Sequence, residues 1–131
     1  MEKHNKDIVV IPMTDDSPEI TFDKKNWVIK ISGPSFPEDS VEFYRQILDW
    51  IDNHENLFTQ LTIEFDYSIL SSASNKMVFE IFIKLEKLIE KGKRVLVRWY
   101  YYDYDEDMRD EGKSFKASMN VPVELIQKQN D

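Results

Sequence analysis

LTIEFDYSILSSASNKMVFEIFIKLEKLIEKGKRVLVRWYYY, residues 61–102, holds three hydrophobic periodicities in succession, and their order decides the fold. Over 61–67 apolar and polar residues alternate strictly, placing Leu61, Ile63, Phe65 and Tyr67 on one face. That is the pattern of a strand with one side buried. From Val78 the period lengthens to that of a helix: Val78, Ile81, Phe82, Leu85, Leu88 and Ile89 form a stripe. Glu80, Lys84, Glu86, Lys87, Glu90 and Lys91 cover the other side, and Gly92 stands where a left-handed helix cap belongs. Residues 94–102 are β-branched and aromatic, hence a strand. Strand, helix and strand in one run predict a βαβ unit. Its two strands are parallel neighbours, and a helix over roughly 74–91 lies on one sheet face.

Working outward, EITF (19–22) and NWVIKIS (26–32) predict a hairpin through 23–25, with Trp27, Ile29 and Ile31 on one face. GPSFP (33–37) predicts the end of that strand, because prolines do not extend a central ladder. Residues 38–55 read as an amphipathic helix with Val41, Tyr44, Ile47, Leu48 and Ile51 inward. Asp39 or Ser40 is its cap, and Asp39 with Glu42 has capping-box spacing. On the C-terminal side, 105–118 predict a short helix and VPVEL (121–125) an edge strand that tolerates Pro122. Polar residues 1–6 and 127–131 read as frayed ends. The expectation is one α/β domain over 1–131, with a core of about 17–126 and a mixed, partly parallel sheet with helices packed against it.

The 131 residues carry 41% hydrophobic and 13% aromatic side chains, enough for a packed core. A net charge of −8 argues against nucleic-acid and anionic-membrane partners, which call for a basic face. The chain has no cysteine, so thiol chemistry and disulfides are excluded. The run from Ile8 to Met13 is too short for a signal-peptide core or a membrane span, and a cytoplasmic location is expected. His4 and His54 are the only histidines, no motif supports a Ser-His-Asp triad, and the three glycines are too scattered for a phosphate loop. No cofactor is expected.

Three features remain as candidates. DYDED (103–107) has carboxylates at alternate positions, as a calcium loop does, but Met108 and Ser114 stand where such a loop needs glycine and glutamate. It reads better as an acidic helix start. The tyrosine-rich run 98–104 places Tyr100 and Tyr102 on the strand face opposite Trp99 and Tyr101, so one set is left for a helix, a ligand or a partner. Finally, Ser71, Ser72 and Ser74 crowd a strand-to-helix junction. One serine there is a helix cap. The others offer a phosphoacceptor, where a phosphoryl group adds about −1.5 to −2 charge beside the positive helix end.

Taken in order, SPEITFD, SGPSFPEDSVEFYRQILDWI, the serine-rich junction followed by KMVFEIFIKLEKLIEKGKRVLVRWYY, and DEDMRDEGKSF…VPVEL resemble the SiaC-type regulatory phosphoproteins of bacteria. The likeness spans roughly residues 17–126. It implies a STAS-like fold and a non-enzymatic role in partner switching. An anti-sigma-type serine/threonine kinase would phosphorylate the protein and a PP2C-like phosphatase would reverse it. The unphosphorylated form would bind and promote a diguanylate cyclase, raising cyclic di-GMP and favouring biofilm. The family's acceptor stretch reads Tyr/Phe-x-Asn-Thr-Ser-Ser-x-Lys; here Tyr67 to Lys76 is two residues longer and lacks threonine. Counting back from Lys76 gives Ser72, with Ser71 the second choice, whereas counting forward from Tyr67 gives Leu70, which has no hydroxyl. Tyr67, Ser74, Lys76, Tyr100 and Tyr102 are the expected partner-binding residues. The alternatives are a constitutive interaction module, or a metal-dependent small-molecule enzyme using the 103–107 acids.

Overall fold

The computed structural model describes residues 7–129. A six-stranded sheet runs in sequence order: β1 (Ile8–Ile11), β2 (Glu19–Asp23), β3 (Val28–Ser35), β4 (Gln60–Leu70), β5 (Arg94–Tyr102) and β6 (Val123–Lys128). The first three strands are antiparallel neighbours; β3, β4, β5 and β6 are parallel. Between the parallel strands lie α1 (Ser40–His54), α2 (Ser72–Glu90) and α3 (Glu106–Ser118). The βαβ expectation therefore holds: β4 and β5 pair in parallel from Gln60↔Arg94 to Phe65↔Trp99, with α2 as the crossover.

Alternation builds the core. Ile20, Phe22, Ile29, Ile31, Leu61 and Ile63 point to one face and, with Phe65, Val97 and Trp99, merge with the apolar sides of the three helices into one buried cluster. The opposite face is polar. Arg98 there bridges Glu64 at 3.3 Å and Glu124 at 3.2 Å, and Lys128 reaches Asp66 at 2.6 Å. Helix α2 ends as its glycine demands: Gly92 adopts φ 91°, its N–H donates to the Ile89 carbonyl and that of Lys93 to Leu88.

Five expectations change. Strand β1 was not anticipated; a four-residue apolar run before Pro12 carries little periodicity, and only pairing with β2 makes it a strand. GPSFP does not end β3, which continues to Ser35 beside Ile69 and Leu70 of β4. Gly33 at φ 117° and a register shift at Gly33/Pro34 absorb the proline, and β2 pairing has already stopped at Ser32. Trp27 sits in the hairpin turn at φ 55° and not in β3, though its ring, on Trp50 and Phe58, still packs against the core that Ile29 and Ile31 enter. Val41 is 53% exposed, so the buried side of α1 is Ser40, Tyr44, Ile47 and Ile51. Gln127 and Lys128 extend β6 and do not fray; residues 1–6 and 130–131 lie outside the described residues.

Candidate functional site

The junction between β4 and α2 uses each of its serines differently. The alternation of β4 stops at Tyr67, and Ser68 and Ile69 are exposed. Ser71 then leaves the strand in extended conformation and caps α2: its Oγ accepts the Ser74 N–H at 3.1 Å. Its backbone is held from both sides, with N–H to the Ser35 carbonyl and carbonyl to the Asn75 N–H. Ser72, the first helical residue, is exposed, and its hydroxyl takes no hydrogen-bond partner among the described residues. Ser74 faces inward and is fully buried.

Behind the junction lies a chain of four buried hydroxyls. Ser35 Oγ donates to Ser74 Oγ at 2.8 Å. Ser35 and Tyr44 hydroxyls are 2.7 Å apart, as are those of Tyr44 and Tyr67. A hydroxyl has one proton, so once Ser35 gives its own to Ser74, Tyr44 donates to Ser35 and Tyr67 donates to Tyr44. The chain thus has one direction and ties β4, α1 and β3 to the first turn of α2. Burial pushes the phenol of Tyr67 well above the ordinary tyrosine value, and its neighbour Tyr44 adds to the effect. Tyr44 is raised too, again chiefly by burial.

This geometry sorts the expected site residues. Ser72 is accessible, Ser71 is committed as the cap, and Lys76 is exposed one turn beyond Ser72. Tyr67 and Ser74 are corrected: both are interior and offer a partner no surface, because alternation and helical phase turn them into the hydroxyl chain. Tyr100 and Tyr102 are half-buried on the polar sheet face, away from the helical layer that carries Ser72. There Lys128 lies 4.2 Å above the Tyr102 ring, which also stacks on Tyr104. The structure does not gather these tyrosines with the serines. The 103–107 acids form the turn into α3, where Asp105 Oδ1 accepts the Met108 N–H at 3.1 Å. Among the described residues no cluster of three or more His, Asp or Glu side chains is arranged to hold a metal ion.

Sequence reasoning missed three members of this site. Ser35 was hidden in a segment read as a strand break, Tyr44 passed as one more apolar stripe residue, and Asn75 drew no attention. Asn75 Nδ2 donates to Glu111 Oε1 at 2.7 Å and so links the first turn of α2 to α3. Beside this link lies a cleft of about 630 Å³ walled by Ile69, Leu70, Met108 and the carboxylates of Asp107, Asp110 and Glu111.

A one-sided mixed sheet with a capped, hydroxyl-rich junction at its central crossover is the frame of a small α/β regulatory domain. The chain belongs to the SiaC family of regulatory phosphoproteins, whose family model matches residues 11–128. An uncharacterised protein of Pseudomonas aeruginosa strain UCBPP-PA14 is 28% identical over 117 residues, 88% of this chain and 92% of that protein. Among solved structures, SiaC of P. aeruginosa in complex with the diguanylate cyclase SiaD, of which it is the activator, matches with a TM-score of 0.85. Identity there is 25%, with 92% of this chain and 99% of that one covered. Apo-SiaC from the same organism shares the fold at a TM-score of 0.82 and 24% identity, covering 91% of this chain and 98% of its own. Among the described residues no helix is long and apolar enough to cross a membrane.

Proposed function

We propose that this protein is a non-enzymatic signalling switch whose unphosphorylated form binds and activates a diguanylate cyclase. An anti-sigma-type serine/threonine kinase places phosphate on Ser72 and a PP2C-like phosphatase removes it. The observation that carries the reading is the division of labour at the junction: Ser72 alone of the three crowded serines is both exposed and uncommitted. Membership of a phosphoprotein family and the likeness to a cyclase activator support the same reading. Phosphate at the first position of a 19-residue helix meets the free N–H groups and positive end of that helix, so the fold tolerates it. The modification therefore acts on the surface, and a partner that binds the two forms unequally reads it.

The test combines phosphosite mapping after incubation with the cognate kinase and ATP with cyclic di-GMP synthesis by the cyclase in the presence of each form. Phosphate on Ser72, and stimulation by the unmodified form only, are expected. Phosphate on neither Ser72 nor Ser71 leaves a constitutive interaction module. Equal stimulation by both forms removes the switch.

A further inference from the structure

Helices α1 and α2 pack side by side, and the groove between them opens at Ser72. Two concavities of about 590 Å³ and 420 Å³ share Val41, Met77 and Glu80 and so form one continuous trough. Its floor is Val41, Leu48, Met77 and Ile83. Val41, 53% exposed and off the buried side of α1, presents an apolar side chain to the trough together with Leu48, Met77 and Ile83. Ser40, at the head of the trough, is only 7% exposed, yet its Oγ has no hydrogen-bond partner among the described residues.

The two walls differ in charge. The α1 wall presents Glu38, Asp39, Asp49 and Asp52, against Arg45 alone. The α2 wall presents Lys76, Lys84 and Lys87, against Glu80 alone. Lys84 already reaches across to Asp52 at 2.6 Å, so that end is closed and the open part runs toward Ser72. From Ser72 to Lys84 on α2 the open part is about 18 Å at 1.5 Å per residue, roughly three helical turns.

We infer that this trough is the docking groove for one amphipathic helix of a partner protein. The helix has an apolar stripe on the floor, acidic residues toward α2 and basic residues toward α1. An apolar floor between oppositely charged walls fits such a helix in one orientation. The inference rests on the proposed switch only for its regulation. Ser72 and Lys76 stand four residues apart on one helix face, so phosphate on Ser72 takes up the Lys76 ammonium and turns the mouth of the basic wall negative. The acidic flank of the partner is then repelled where it had been attracted.

The test is site-specific photo-crosslinking of the full-length protein in the cells that encode it. Benzoylphenylalanine replaces Val41 or Glu80 in the groove or, as a control, Thr21 on the polar sheet face, and the joined peptides are identified by mass spectrometry. Crosslinks from Val41 and Glu80 into one stretch of partner helix with the stated charge pattern are expected. Yield should drop by about tenfold or more in Val41→Asp and Lys76→Glu, with melting temperatures unchanged, since both positions are exposed. Groove crosslinks to such a helix in a protein other than a cyclase uphold the groove and remove the cyclase reading. Crosslinks to a cyclase from Thr21 alone do the reverse. Groove crosslinks to a segment without an apolar stripe, or none from either groove position, overturn the inference.

Discussion

Adjacent hydroxyls at the junction carry different physical burdens, and two sets of substitutions separate them. Ser71→Ala removes a side-chain cap, which costs about 1 kcal/mol in chemical denaturation and leaves Ser72 available. Ser72→Ala touches an exposed, unbonded side chain and should shift stability by no more than about 0.5 kcal/mol while abolishing the phosphorylated species. Equal losses would mean that the cap has been assigned to the wrong residue. In the hydroxyl chain, Tyr44→Phe removes a middle link: Tyr67 loses its acceptor and Ser35 its donor, both buried. Tyr67→Phe removes only the terminal donor. Denaturation should therefore rank Tyr44→Phe, at about 2–3 kcal/mol, above Tyr67→Phe, at about 1 kcal/mol. The reverse order would contradict the direction given to the chain.

Helix α3 is pinned to the sheet by an absent side chain. At Gly112 an added Cβ would collide with Trp99 Cδ1 and lie 2.7 Å from Leu125 Cδ2. The indole of Trp99 meanwhile donates to the Met108 carbonyl at 2.9 Å, so the ring has little freedom to retreat. Gly112→Ala ought to gain about 1 kcal/mol from helix propensity, yet the clash of about 1–3 kcal/mol opposes it. The expected result is a lower melting point with changed tryptophan emission; a more stable protein would mean that α3 stands off the sheet. In this element the sequence reading placed the helix and its acidic start correctly. It did not reveal why a poor helix former sits in the middle, because the reason lies on β5 and β6.

Across the whole molecule, the buried phenols link folding to alkaline pH. Tyr44 and Tyr67 have folded-state values raised above the unfolded tyrosine value of about 10, chiefly by burial. A group raised in this way gives its full contribution below the unfolded value and loses it as pH climbs toward the folded one. Stability should therefore fall as pH rises above about 10. In a spectroscopic titration Tyr44 and Tyr67 ionise only as helical circular dichroism is lost. Ionisation of all tyrosines with the fold intact would show that the hydroxyl chain is open to solvent.

The sequence by itself determined the βαβ centre, the helices, the glycine cap at Gly92 and the serine-rich junction, and narrowed the start of α1 to Asp39 or Ser40, of which Asp39 is the cap. These depend on residues near one another in the chain, where period and local backbone preference suffice. Tertiary structure decided everything that depends on a distant neighbour. Strand β1 exists because β2 pairs with it, and β3 runs past Pro34 because a bulge beside β4 accommodates the ring. Alternation already turned Tyr67 inward, but which groups would satisfy its hydroxyl and that of buried Ser74 was decided by Ser35 and Tyr44, which arrive from 39 and 23 residues away. A hydroxyl carries no mark of whether water or protein will be its partner; packing alone settles that, and here it left Ser72 to the solvent.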